Sequence, residues 1–221
     1  MSSVDLAVSL LRELVSEDFR VLQALELGMG QYMFVPLEEV LKYSGMPLPE
    51  VEFKVSALHK WGLIHRWAGP YVGYALNNAG YDCLALNALV KGEMLEAFGK
   101  SLGVGKEADV YDALTPKGER VAVKFHRIGR TSFRDTRRKR GYEEDRRHIS
   151  WLYRSRLAAE REFEALRKVH QVGVAVPRPI NQNRHIIVMG FIEGFELSEI
   201  GEVENPEEVL NEILENVRLA Y

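Results

Sequence analysis

The chain has 221 residues, 46% hydrophobic and 28% charged, with a formal net charge of -3 at pH 7. This describes a folded chain that can bury a core; it excludes a disordered or collagen-like polypeptide and gives no general attraction to nucleic acid or lipid. With Cys83 as the single cysteine, an acidic N-terminal stretch and no apolar run near the roughly 20 residues of a membrane span, a cytoplasmic protein that is neither exported nor membrane-embedded is expected.

In residues 4–26 the apolar positions Leu6, Leu10, Leu11, Leu14, Val15, Phe19, Leu22 and Leu25 recur at helical spacing and predict one or two amphipathic helices. Pro36 opens a short second helix with Leu37, Val40 and Leu41 that stops at Ser44-Gly45. Pro47 and Pro49 open a third, with Val51, Val55, Leu58 and His59 on one face and a stop at Trp61-Gly62. Residues 63–67 and 71–76, separated by Ala68-Gly69-Pro70, read as strand, turn and strand. Helices followed by a hairpin predict a winged helix-turn-helix. Its third helix shows a mixed outer face of Glu50, Glu52, Lys54 and Lys60, poor in the cations that contact phosphates, so sequence-specific DNA reading ranks last among its uses. Contact with structured RNA by shape, or protein docking, remains open.

A further helix is expected over residues 81–98, ended by Gly99, and the character of the chain changes there. The predicted organisation is therefore α+β, with a winged-helix domain and linker helix over residues 1–97 and a second, strand-rich domain over 98–221.

In the second domain, residues 101–113 read as strand, glycine turn and strand around Gly103 and Gly105, and Val121-Ala122-Val123-Lys124-Phe125 as the next strand. Paired glycines let backbone N–H groups come close to a polyphosphate, and a lysine on the adjacent strand supplies a point charge for its oxygens. The combination matches the glycine-rich loop and lysine strand of protein kinases; Gly105-Lys106-Glu107 fails the Gly-Lys-Ser/Thr test of a Walker loop. A helix around residues 157–166 offers the acidic partner that such a lysine needs. With Leu157, Ala158, Phe163, Ala165 and Leu166 inward, Glu162 is placed to reach Lys124, while Glu160 and Glu164 face outward. Val176-Pro177-Arg178-Pro179 reads as a turn and residues 185–189 as a buried strand leading into a hinge-like Gly190-Phe191-Ile192-Glu193-Gly194.

Three stretches together carry a resemblance: Gly103-Val104-Gly105-Lys106-Glu107-Ala108-Asp109-Val110-Tyr111, the run from Val121 through His126-Arg127-Ile128-Gly129-Arg130-Thr131-Ser132-Phe133, and Trp151-Leu152-Tyr153-Arg154-Ser155-Arg156-Leu157-Ala158-Ala159. The chain resembles the RIO family of atypical serine/threonine protein kinases, in the subfamily with a preceding winged helix, and has an archaeal look. The resemblance implies a kinase-type N-lobe with the C-lobe mostly missing, Lys124 on the phosphates of ATP and Glu162 paired with it. Gly103, Val104, Gly105, Lys106, Glu107, Ala108 and Val110 would cover the nucleotide. Val110 and Ala122 would line the adenine roof, Met189 would guard the back of that pocket, and backbone groups of Gly190 and Ile192 would meet the adenine edge. Ala108 stands where many members have a serine, which removes one phosphate contact. The resemblance also implies magnesium, and a setting in small-ribosomal-subunit and ribosomal-RNA maturation, met through the winged helix and a basic stretch over residues 130–147. Arg130, Arg134, Arg137, Arg138, Lys139 and Arg140 in that stretch suit RNA phosphates, and Thr131, Ser132 and Thr136 are potential phosphoacceptors. A monomer is expected; the protein substrate is not legible.

Phosphoryl transfer also needs a catalytic aspartate, an asparagine and a metal-holding aspartate, yet no aspartate follows Asp145. No metal ligand is therefore assigned, and the chain is expected to be a piece of a longer kinase that is inactive alone. The alternative is a non-catalytic adaptor for RNA or ribosomes. The last helix, opened by Asn205-Pro206, carries an apolar stripe of Val209, Ile213, Leu214 and Val217 in a stretch where Arg218 is the only cation beyond Gly190.

Overall fold

A computed structural model of the chain describes residues 1–129 and 151–221. The basic stretch and its candidate phosphoacceptors, from Arg130 to Arg147, lie outside the described residues.

The N-terminal periodicity resolves into two helices, α1 (Ser3–Leu10) and α2 (Ser16–Gly28). Ser2 caps α1 through its hydroxyl, which accepts from the Asp5 N–H, while the Asp5 carboxylate accepts from the Ser2 N–H. Pro36 sits one residue before its helix, in a two-residue strand β1 (Val35–Pro36), and α3 (Leu37–Ser44) ends on Gly45 with φ 62°, a left-handed turn that glycine enters without a Cβ penalty. Then come α4 (Leu48–Lys60) and the hairpin of β2 (Ile64–Ala68) and β3 (Val72–Leu76), with β1 joining β3 to make a three-stranded sheet in the order β1-β3-β2. At the wing, the Trp67 ring stacks on Phe34 at 5.5 Å and meets Tyr71 edge-on at 5.0 Å.

Two expectations for α4 are corrected. His59 is exposed, its Nδ1 bonded to the Ile64 carbonyl at 3.2 Å, because it lies just past the edge of the Val51, Val55 and Leu58 stripe. Lys54 is drawn off the outer face to the buried Asp18 carboxylate of α2 at 2.9 Å. That leaves the mixed face of α4 poorer still in free cations for a nucleic acid.

The helix expected over 81–98 is instead α5 (Asn78–Lys91), capped at its start by the Asn77 side chain on the Gly80 N–H. It stops at Gly92, and Glu93 follows with φ 56°. Met94 and Leu95 continue the apolar pattern only because Leu95 is buried in the core beyond the helix. Gly80 is needed for packing: a Cβ there would collide with the Leu63 carbonyl. The second sheet therefore begins earlier than read, at β4 (Ala97–Val104), and continues through β5 (Ala108–Leu114) and β6 (Arg120–His126).

Beyond the undescribed segment, α6 (Trp151–Gln171) is longer than the predicted 157–166 core. It buries Ser155 and Ala159 and half-buries Phe163 and Leu166, whereas Ala165, expected inward, is exposed. The stretch read only as a turn leads into a strand, β7 (Pro179–Asn183), which pairs with β8 (Ile186–Gly190) to complete an antiparallel sheet in the order β4-β5-β6-β8-β7. Its polar sequence, Asn181, Gln182 and Asn183, lacks the apolar alternation that marks a strand. A 3-10 turn (Leu197–Glu199) and α7 (Pro206–Ala220) follow, the latter with Leu210, Ile213, Leu214 and Val217 exposed.

The core is continuous across both units. One face of the second sheet contributes Tyr111, Ala113, Val121, Val123, Phe125, Ile186 and Val188, and these join the helix core of the N-terminal unit in a single cluster. Cys83 is buried in this cluster, where burial pushes its thiol up to about 12 and leaves it a packing residue.

Charge is buried at the same junction. The Arg127 guanidinium, just past β6, meets both oxygens of Asp82 in α5 at 2.8 Å and reaches Asp109 in β5 at 3.3 Å. His185, in the β7–β8 turn, reaches Asp82 with Nε2 at 2.7 Å and stacks on Tyr81 at 4.6 Å. All four ionisable groups are at most 3% exposed. Nearer the surface, Arg184 grips Glu26 of α2 at 2.7 and 2.9 Å. Four separate segments thus meet around one guanidinium, that of Arg127.

Candidate functional site

Cross-strand register sorts the second sheet into two faces. Val110 lies opposite Lys124, Ala108 opposite His126, Ala122 opposite Met189, and Lys124 opposite Ile187. This face points away from the N-terminal unit. Part of it packs on α6, where Ala159, Phe163 and Leu166 meet Ala122, Ile187 and Met189. That packing fixes the rotation of α6 and so aims Glu162 at the sheet.

The structure brings Lys124 and Glu162 together, Nζ to Oε1, at 2.6 Å. Lys124 is half-buried. Glu160, expected to face outward, is half-buried and paired along α6 with Arg156 at 2.9 Å; Glu164 is exposed.

Gly103 and Val104 end β4, and Gly105, Lys106 and Glu107 form the turn to β5; all five are exposed, while Ala108 and Val110 are half-buried. Register breaks between Phe98 and Ser101 and again between Ser101 and Gly103 twist β4 ahead of this turn. The turn is pinned from both sides: the Gly105 N–H donates to the Ala108 carbonyl at 2.8 Å, and the Arg127 N–H donates to the Glu107 carbonyl at 2.6 Å. A Cβ on Gly103 would have nothing within 4 Å, so the space above the loop is open to a ligand that comes close to backbone.

At the other end of the face Met189 is buried, Gly190 is half-buried and Ile192 is 62% exposed. The Gly190 N–H is already used, donating to the Arg178 carbonyl at 2.8 Å, so a ligand at this edge would be left the Gly190 carbonyl and the groups of Ile192. Arg120 lies over the Phe191 ring at 3.7 Å and holds the segment beyond β8 against the sheet.

These features fit an adenine nucleotide. An open glycine turn, a lysine held by a carboxylate, and half-buried apolar residues between them supply phosphate and base contacts in one line. Among the described residues no group of three or more His, Cys, Asp or Glu side chains is arranged to hold a metal ion by itself. A cavity of about 650 Å³ lies elsewhere, between α2, α5, α6 and the β7–β8 turn, lined by Glu26, Tyr81, Arg156 and Arg184 among others.

His126 also lies on the open face, buried, its Nε2 3.4 Å from Glu162 Oε2. Burial is the main influence on it and pushes its titration down to about 4, against the opposing pull of Glu162. Burial likewise lowers His185, opposed by its bond to Asp82. For Asp82, burial acts to raise the carboxyl, but Arg127 and His185 outweigh it and hold it below the ordinary carboxylate range.

A pH dependence follows. Below the ordinary histidine value of 6.5 the unfolded chain protonates both imidazoles while the folded chain keeps them neutral, so acid favours unfolding. For His126, development of the full difference between 6.5 and about 4 removes roughly 3 kcal/mol. Asp82 extends the loss below the unfolded carboxylate value of about 4. Urea unfolding midpoints are expected to fall steadily from about pH 7 to about pH 4; a flat profile over that range contradicts buried neutral histidines.

Sequence reasoning missed Asp82, Arg127, His185 and His126. Arg127 and His126 stand inside a recognised motif, but nothing local marks them as buried. Asp82 and His185 carry no signal in the sequence.

Residues 109–221 match the family model of the RIO domain, and residues 11–92 match that of the Rio2 N-terminal domain. A RIO-type serine/threonine-protein kinase Rio2 of Methanocaldococcus jannaschii is 44% identical over 198 residues, covering 87% of this chain and 72% of that protein. The serine/threonine-protein kinase RIO2 of Saccharomyces cerevisiae is 34% identical over 95% of this chain and 50% of its own length. The crystal structure of a Rio2 kinase–ADP/Mg2+–phosphoaspartate complex from Chaetomium thermophilum superposes with a TM-score of 0.82 at 35% identity, covering 94% of this chain and 61% of that one. The chain thus spans about half to three quarters of the length of these proteins.

Proposed function

We propose a function from one premise: the chain belongs to the RIO family, and within it to the Rio2 kinases. In this reading residues 98–221 form the nucleotide-holding part of a magnesium-dependent serine/threonine protein kinase or ATPase, and residues 1–97 form a winged-helix unit packed behind it. The observation that carries it is the Lys124–Glu162 contact of 2.6 Å beside an open glycine turn.

ATP supplies the transferable phosphoryl group. Lys124 binds phosphate oxygens, and Glu162 restrains the ammonium so that little side-chain freedom is lost on binding. Backbone groups of Gly103, Val104, Gly105, Lys106, Glu107 and Ala108 close over the phosphates. Val110, Ala122 and Met189 exclude water around the base, and the Gly190 carbonyl and Ile192 N–H orient its edge. No residue here is given a magnesium ligand's role, and none is given the role of the acceptor's base, since no aspartate follows Asp145.

The proposed setting is the maturing small ribosomal subunit and its RNA, met through the winged helix and residues 130–147, in the cytoplasm and as a monomer; the family resemblance supports it. Among the described residues no helix is long and apolar enough to cross a membrane.

The test is titration of the purified chain with a fluorescent ATP analogue in magnesium buffer. Saturable binding displaced by ATP and ADP, without phosphoryl transfer to added protein, is the expected result. Absence of displaceable binding at millimolar nucleotide overturns the nucleotide reading and favours the adaptor.

A further inference from the structure

Strand β6 presents two polar side chains, Lys124 and His126, on the same face two residues apart, and both point at one carboxylate. Lys124 Nζ takes Glu162 Oε1 at 2.6 Å, and His126 Nε2 lies 3.4 Å from Oε2. The imidazole is 6% exposed, and Nε2 has no accessible surface and no hydrogen-bond partner of good geometry. An unpaired buried nitrogen aimed at a carboxylate is costly unless it carries a proton and completes a bond on a small approach. We propose that His126 is a positioning residue for the site: as a neutral imidazole protonated on Nε2, it holds the second oxygen of Glu162 and so fixes the rotamer in which Glu162 presents Lys124 to the nucleotide phosphates.

The alternatives on the same atoms fail on charge. A carboxylate only accepts, so an imidazole whose Nε2 carries the lone pair would repel Oε2. An imidazolium would compete with Lys124 for the same carboxylate and put a second cation in a site that burial already disfavours. A neutral donor adds orientation without neutralising Glu162. The backbone beneath is rigid enough for this: the His126 N–H donates to the His185 carbonyl at 2.9 Å, and the next N–H, that of Arg127, anchors the glycine turn at Glu107. His126 stands opposite Ala108, the first residue of β5 after that turn, so the same pair of β6 residues lies beside both the loop and α6.

The affinity arm of the test rests on the nucleotide reading above. With the 221-residue chain and magnesium, His126→Phe keeps a buried ring and removes the donor; ATP is expected to bind roughly 3- to 10-fold more weakly while adenosine affinity stays unchanged. His126→Gln restores an N–H donor and is expected to recover most of the ATP affinity. A purely structural histidine would instead lower both affinities together, or neither. If Lys124→Ala weakens ATP binding and His126→Phe does not, this inference is wrong and the nucleotide reading stands. If Lys124→Ala has no effect, the nucleotide reading fails, and the second arm decides on His126 alone. That arm is 15N NMR of the wild-type imidazole near neutral pH, where the neutral Nε2–H tautomer is expected, with its signal moved by Glu162→Gln. An Nδ1–H tautomer, or no response to Glu162→Gln, overturns the assignment.

Discussion

Arg127→Leu is expected to destabilise the folded chain by about 3–5 kcal/mol, because it leaves a buried carboxylate without its cation. Asp82 loses both of its 2.8 Å partners on the guanidinium, and Asp109 loses its 3.3 Å contact, in a region where all three groups are at most 3% exposed. For a chain of this size that corresponds to a fall in melting temperature of roughly 6–20 °C. Asp82→Ala is expected to cost a similar amount, and the double variant clearly less than the sum, since each single change already strands the other's charge. Thermal melts followed by circular dichroism test this, with the two-variant cycle as control. A loss below about 1 kcal/mol for Arg127→Leu, or strict additivity, rules out the cluster as the electrostatic tie between the two units. Its position gives the tie a functional side as well. Arg127 bonds the winged-helix unit through Asp82 and the glycine turn through the Glu107 carbonyl, three residues from Lys124.

Lys124→Ala is expected to lower ATP affinity by about 10- to 100-fold, the loss of one charge-assisted contact to phosphate. Stability should scarcely change: the Lys124 and Glu162 side chains are 26% and 39% exposed, and partly solvated pairs contribute about 1 kcal/mol or less. The two variants therefore separate. One lowers the melting temperature through buried charge; the other leaves it in place and removes ligand binding. Calorimetric titration with ATP and with adenosine checks the second, since adenosine lacks the oxygens that Lys124 would contact. Equal ATP affinity in wild type and Lys124→Ala would show that the ammonium does not face phosphate.

Much of the site was legible in the chain because its chemistry is local. A glycine turn, an Ala122-Val123-Lys124 strand and a helix with Glu162 on its inner side are short-range patterns, and the packing of α6 on the sheet brings Lys124 and Glu162 into contact. Elements with a weak or misleading local signal were read poorly. The polar β7 carries no apolar alternation, and Met94 and Leu95, which pack in the core after α5 has ended, extend its apparent periodicity toward 98. His59, Lys54 and Ala165 each lie at the border of a helical face, where the neighbouring element and not the spacing decides the side.

By itself the sequence determined two units, their order, the glycine turn and the lysine with its glutamate, because each is written in spacings of a few residues. Only the tertiary structure decided that the back of the second sheet is covered by the winged-helix core, that Asp82, Asp109, Arg127 and His185 are buried together, and that His126 points at Glu162. The physical reason is that burial of a charge is a property of whatever covers it. Asp82 and His185 are separated by 103 positions in the chain and by 2.7 Å in space.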